Sequence, residues 1–282
     1  GLAKQWLGEQ DALQTLEGAF RLLDDVSTEE QMRGAYGSVA HGLTSLREFE
    51  KAERLLELDH REARRHADER AVANNFNLRC RLAFFRQDFD AALDHAQQAL
   101  SLFTAVGHLP GAATCQEMMA EIHRREGNVE RAETIYHKCI ELQEAIGFRQ
   151  AIAQMNLASL LLERGEADEA EKRFVMAASA FEESGRRSFH AVAVAGLLAC
   201  ASSQGWWNSI EEHLETIRRF AERTDECERD LAEHLERAGD DLTEAEQYEY
   251  AYQAYDLAFT QWERIGDEER LDEVAAKLAK WV

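Results

Sequence analysis

Proline is almost missing from this chain: Pro110 is the single one in 282 residues, where average usage of roughly 5% would supply about 14. Proline punctuates turns, linkers and sheet edges, so its scarcity excludes collagen-like, mucin-like and Pro-rich linker organisation. It describes long helices joined by short loops. Cysteine is also sparse. Cys80, Cys115, Cys139, Cys200 and Cys227 are odd in number and contain no Cys-x-x-Cys pair, so they read as reduced, small core residues of a cytoplasmic protein and not as a disulfide framework. No apolar run approaches the roughly 18 residues of a membrane span, and the N-terminus has no signal-peptide hydrophobic region.

Positive charge is scarce as well. Lys plus Arg number 32 against 54 Asp plus Glu, for a formal net charge of −22. Such a mean field repels polyphosphate and anionic lipid, so neither nucleic acid nor membrane is an expected partner. From Glu211 onward 22 acidic residues face 9 basic ones, a surplus of 13, and basic partners should prefer that end. Only Arg61 to Arg86 reverses the balance, with seven arginines against Glu62, Asp68 and Glu69.

Catalytic signatures are missing too. Ten histidines are present, but His60 and His66 are six apart on different helix faces, and no His-Glu-x-x-His or Cys/His quartet exists. There is no phosphate-binding glycine loop and no nucleophile elbow. No catalytic residue, metal or cofactor is therefore expected. An α/α-toroid enzyme would need repeats of about 50 or more residues, and the observed period is shorter.

What is there is a repeat. An aromatic or apolar residue, two mostly polar ones, an alanine and a further apolar residue recur as Phe49–Ala52 with Leu56, Phe89–Ala92 with Ala96, Val129–Ala132 with Tyr136 and Ala167–Ala170 with Phe174. The anchors Ala12, Ala52, Ala92, Ala132, Ala170, Ile210 and Ala251 are spaced 40, 40, 40, 38, 40 and 41. Gly127, Gly165 and Gly205 stand five residues before an anchor, where a left-handed turn between helices favours glycine, while Gly107, Gly147, Gly185 and Gly266 end the following helix. Between glycines the apolar spacing is helical, as in Ile135, Tyr136, Cys139, Ile140, Leu142 and Ile146. Each unit is then two antiparallel helices that bury their stripes against stacked neighbours.

Gly127–Tyr136 and Gly165–Phe174 resemble the tetratricopeptide repeat family most clearly, in its roughly 40-residue form seen in kinesin light chains and in the sensor region of maltose-regulon-type bacterial activators. The resemblance places the family's small residues on Ala40, Cys80, Ala120 and Ala158 in first helices and on Ala99, Cys139 and Ala177 in second helices. It implies an all-α, right-handed superhelical solenoid over 1–282. A partial repeat 1–28 is followed by repeats 29–68, 69–108, 109–147, 148–185, 186–225 and 226–266, with 267–282 as a capping helix. In the fifth repeat Leu198 and Ile210 replace small residues. In the sixth, Gly239–Gln247 reads as an insertion, with Thr243 and Glu246 spaced as a capping box. In the capping helix Leu271, Val274, Ala275, Leu278 and Trp281 form the inner face, opposite Asp272, Glu273, Lys277 and Lys280. The first residue is Gly1, not Met, and further domains upstream are expected.

The family holds a partner along its first helices. Carried over, the groove positions are His41 and Thr44; Asn74, Asn77, Arg81 and Phe84; Glu117, Met118, Glu121, Arg124 and Arg125; and Asn156, Ser159 and Glu163. Amides can grip a partner's backbone without demanding its sequence, and Arg81 and Arg124 suit carboxylates. The carboxylate-clamp slots of some members hold Gly37 and His41 here, which argues against a chaperone-tail clamp. Val192, Ala195, Gly196 and Ala199 offer an apolar surface for a partner helix or for neighbouring helices of the chain itself. Trp206 has no counterpart in other repeats and is a candidate contact residue, while Trp207 occupies a packing slot. The expected function is a scaffold binding a protein or peptide segment, with the ligand-sensing region of a signal-transduction ATPase or transcription activator as the alternative.

Overall fold

The computed structural model describes residues 35–145 and 150–281, together with Thr15, Gly18 and Ala19. Ala12, most of 1–28, Ile146, Gly147 and the side chain of Trp281 lie outside the described residues. Among the described residues there are thirteen α-helices, two short 3-10 turns and no strand. The chain falls into two compact units, 1–148 and 149–282.

In the first unit the helices are α1 (Ala35–Ser45), α2 (Phe49–Arg65), α3 (Glu69–Phe85), α4 (Phe89–Ala105), α5 (Leu109–Arg125) and α6 (Val129–Ala145). The second contains α7 (Ala151–Glu163), α8 (Ala167–Glu183), α9 (Arg187–Gln204), α10 (Ile210–Arg223), α11 (Arg229–Glu244), α12 (Tyr248–Ile265) and α13 (Glu268–Leu278). Neighbours in sequence pack against each other within each unit except α10 and α11, where α11 packs instead on α9 and α12. First helices also touch the first helix of the next pair, α1 on α3, α3 on α5 and α7 on α9.

One turn recurs. A residue in the left-handed region follows the helix, and the next residue's N–H reaches back to a carbonyl five positions earlier, as Asn128 N–H does to His123 at 2.8 Å. Gly127 (φ 77°) holds that position where the sequence supplies glycine, but Arg47, Ala67, Gln87 and Glu246 adopt the same conformation, with φ between 50° and 62°. Where the residue after the turn is Asp or His108, its side chain caps the next helix. Asp68 accepts from Ala71 N–H at 2.9 Å, and Asp88 does the same for Ala91 at 3.1 Å.

The anchors Ala52, Ala92, Ala132, Ala170, Ile210 and Ala251 are all fully buried, as are Ala40, Cys80, Ala120, Ala158, Ala99, Cys139 and Ala177. These side chains fill the closest approaches of helix axes, where there is no room for a larger residue. Leu198 is also fully buried. The sixth pair differs from its sequence reading. Gly239 lies inside α11 beneath the ring of Tyr255, where a Cβ would stand 2.6 Å from a ring carbon. Thr243 donates to the Gly239 carbonyl at 2.7 Å within the same helix. There is no insertion and no capping box: α12 starts at Tyr248 after Gln247, without a side-chain cap.

Candidate functional site

The stretch Asn74–Asn77 distributes its three amides over opposite faces of α3. Asn75 points inward and is fully buried; its Nδ2 donates to the Leu56 carbonyl and to Asp59 Oδ2, both at 2.8 Å, and its Oδ1 accepts from Arg79 Nε at 3.0 Å. Burial raises the Asp59 carboxyl above the usual range, against the opposing hydrogen bonds of Asn75 and the Gly37 backbone. Asn75 therefore joins α2 to α3. Its neighbours Asn74, exposed, and Asn77, half-buried, turn the other way.

They line a shallow depression of about 620 Å³ together with Asp68, Arg70, Ala71, Phe103, His108, Pro110, Gly111 and Thr114. Its far wall is the start of α5, where His108 Nδ1 accepts from Gly111 N–H at 3.0 Å. A Cβ on Gly111 would stand 2.6 Å from that nitrogen and 2.7 Å from the Phe103 ring, so glycine is what lets the wall close onto α4. The depression offers amides, a hydroxyl, one cation and the capping Asp68 carboxylate above a partly aromatic floor.

Other groove candidates of this unit have different surroundings. Arg81 is half-buried on α3 outside the depression, and burial together with its nearby charge lowers His41 to about 4. Met118 packs against the cluster of Cys80, Ala83, Ala92, Ala96 and Ile122. Arg124 is only 8% exposed and grips Glu121 with Nε and a terminal nitrogen, both at 2.9 Å. Arg125 and the buried Tyr136 hydroxyl donate to the same carboxylate at 2.8 and 2.9 Å. Glu121 and Arg124 thus sit in an ion-pair network joining α5 to α6, where the sequence suggested an open cationic surface.

In the second unit Asn156 is half-buried and Ser159 buried. Ser159 Oγ bonds the Met155 carbonyl at 3.3 Å and His234 Nε2 at 3.1 Å, and His234 meets the Phe174 ring edge-on at 5.5 Å. Helix α9 packs on α7, α8, α10 and α11, so Val192, Ala195, Gly196 and Ala199 are buried against the chain's own helices. Trp206 and Trp207 are 36% and 37% exposed, so Trp207 is no more enclosed than its neighbour. The Thr114 and Arg70 contributions, and the inward turn of Asn75, were not visible in the sequence, because nothing in the spacing separates an amide facing Leu56 from one facing solvent. Among the described residues no group of three or more His, Cys, Asp or Glu side chains is arranged to hold a metal ion, and no helix is long and apolar enough to cross a membrane.

Residues 69–145, α3 to α6, match the tetratricopeptide repeat family model. No curated protein matches the sequence. Among solved structures, the chain is similar to a Rap protein complexed with competence and sporulation factor (16% identity, TM-score 0.66, 93% of this chain and 80% of that one). It is also similar to NprR in complex with its cognate peptide NprX (12%, 0.60, 96% and 79%). A third is a signal transduction ATPase with numerous domains from Pyrococcus horikoshii that has a tetratricopeptide repeat sensor (18%, 0.55), of which this chain spans 38% while 93% of its own length is covered. At these identities the likeness is one of fold. Residues 69–145 are thus tetratricopeptide repeats, set in a chain whose helical-repeat fold is that of tetratricopeptide-like proteins.

Proposed function

We propose that the chain is a non-catalytic scaffold that binds a peptide or protein segment, with the depression over Asn74 and Asn77 as its principal seat. The observation that carries this reading is the convergence of two outward amides, one helical turn apart, with Thr114 and Arg70 on one cavity of about 620 Å³. An amide offers donor and acceptor together, the complement of a peptide group, so a ladder of them holds a backbone whatever its side chains; Arg70 suits an acidic group on the same segment. The peptide complexes named for the Rap and NprR structures support a peptide as the ligand class. Arg81, further along the same helix, adds a second cation beside this seat. Met118 is engaged in packing against Cys80 and Ile122, and Glu121 and Arg124 in the network with Arg125 and Tyr136. Asn156, Ser159 and Trp206 belong to the second unit and have no part in the seat.

A second reading, the ligand-sensing part of a larger signalling ATPase, is favoured by the Pyrococcus horikoshii likeness, in which this chain matches a minor part of a longer protein. In that reading the same seat receives the signal.

The test is a peptide array probed with the full chain, followed by affinities of the best binders for Asn74→Ala and Asn77→Ala. Each lost hydrogen bond of about 0.5–1.5 kcal/mol corresponds to a weakening of roughly 2- to 10-fold at unchanged melting temperature. Equal affinity in both variants would remove the seat from the interface.

A further inference from the structure

The end of the second unit is held together largely by charge. Helix α13 buries a single residue, Val274, whereas α11 buries eight and α12 seven. Its attachment is ionic instead. Glu236, 4% exposed on α11, accepts from Arg270 at 2.6 Å, from Lys277 Nζ at 2.9 Å and from the indole N–H of Trp262 at 3.3 Å. Lys277 also reaches both oxygens of Asp240, at 2.7 and 2.9 Å, and Asp240 accepts from the Tyr255 hydroxyl at 2.6 Å. Arg270 stands 5.3 Å from the Trp262 ring centre and Lys277 5.4 Å from that of Tyr255.

Beneath α13 lies a seat made of two carboxylates and two aromatic rings. Carboxylates beside ring faces select cations, and the rings add apolar area. The inner face of α13 shows the complement: Arg270, Val274 and Lys277, at i, i+4 and i+7. Lys277 thus faces α11 and not the outer side on which the apolar spacing put it, because Glu236 and Asp240 draw its ammonium inward. Its outer face fits the surroundings less well: Glu273 accepts from Arg270 at 2.7 Å, but Glu268, Glu269 and Asp272 are among the 22 acidic residues that stand against 9 basic ones from Glu211 onward. An 11-residue helix has little stability of its own, and partly exposed ion pairs are weak and screened by salt.

We propose that the seat formed by Glu236, Asp240, Tyr255 and Trp262 is a docking site for a helix with a basic face, and that α13 is its resting, displaceable occupant. A segment with two cations seven residues apart around an aliphatic residue, and without acids on its outer face, binds there in place of α13. This surface is independent of the Asn74–Asn77 seat.

The probe is a fluorescent synthetic peptide of residues 267–281 with Glu268, Glu269, Asp272 and Glu273 replaced by Gln, titrated into the full chain. Saturable binding that weakens at least several-fold between about 50 mM and 500 mM salt is expected. Lys277→Gln in the chain loosens the resident helix and should tighten probe binding several-fold, with α13 amides exchanging faster than those of α12. In the Lys277→Gln chain, whose loosened resident helix competes least for the seat, adding Glu236→Gln, or the milder Asp240→Asn if the first loses helicity by circular dichroism, should weaken probe binding at least tenfold. Absence of saturable binding in both wild type and Lys277→Gln, binding indifferent to Asp240→Asn, or no gain in Lys277→Gln would each overturn the proposal.

Discussion

Gly196 on α9 lies directly under the ring of Phe174, so close that a Cβ on it would stand 2.4 Å from two ring carbons. Phe174 is fully buried and also carries His234 against its edge, so the ring cannot swing away. Gly196→Ala should therefore destabilise despite alanine's better helix propensity, by about 1–3 kcal/mol, read as a lower urea midpoint at unchanged slope. A neutral or stabilised variant would mean that the packing around Phe174 yields.

Asn74 and Asn75 are adjacent and should behave oppositely. Asn75→Ala leaves the buried Leu56 carbonyl and a partly buried Asp59 oxygen without their donor, at a cost of about 1–3 kcal/mol. Asn74→Ala, on an exposed position, should stay within about 0.5 kcal/mol of wild type while weakening the ligand. Thermal denaturation of the two single variants checks the contrast.

Arg124 and Glu121 form a largely buried pair, so Arg124→Ala should cost about 3–5 kcal/mol by leaving the carboxylate with fewer cations. Arg125 and Tyr136 remain on Glu121 and hold the loss toward the lower end. Arg81→Glu should instead weaken partner binding by more than about 1 kcal/mol with a melting temperature near that of wild type. Measuring affinity and melting together on both variants separates a supporting residue from a contacting one.

His41 supplies a pH dependence whose sign is fixed. Burial, with the Arg81 charge adding to it, lowers its pKa from 6.5 to about 4. The folded chain thus binds fewer protons than the unfolded one in that interval. Its contribution is complete above 6.5 and is lost as pH falls toward 4, by at most roughly 3 kcal/mol. Burial shifts His60 and His95 in the same direction. Asp59, raised by burial, acts the other way at lower pH, so the clean comparison is urea unfolding at about pH 7.5 and 5, where His41→Gln should flatten the difference.

Ala67 occupies the left-handed region at φ 50°, a conformation that costs a residue with a Cβ about 1 kcal/mol. Ala67→Gly should consequently raise stability slightly, by no more than about 1 kcal/mol, because glycine's larger unfolded-state entropy offsets part of the gain. A drop in the melting temperature would show that the turn between α2 and α3 is not strained.

The sequence by itself determined the helices, their pairing and their period. Helix formation and turn chemistry are local: a 3.6-residue stripe, a left-handed turn and an anchor every 40 or so residues recur in one dimension, and the full burial of Ala52, Ala92 and Ala132 follows from that recurrence. The tertiary structure alone decided which polar side chains remain available. Whether Asn74 or Asn75 faces solvent depends on where the Leu56 carbonyl lies, 19 residues before Asn75. Ser159 is closed off by His234, 75 residues away, because α11 packs against α9. Glu236 gathers Arg270 and Lys277 only because α13 turns back over α11. Such pairings rest on interhelical distance and angle, which a residue's own neighbours in sequence do not encode.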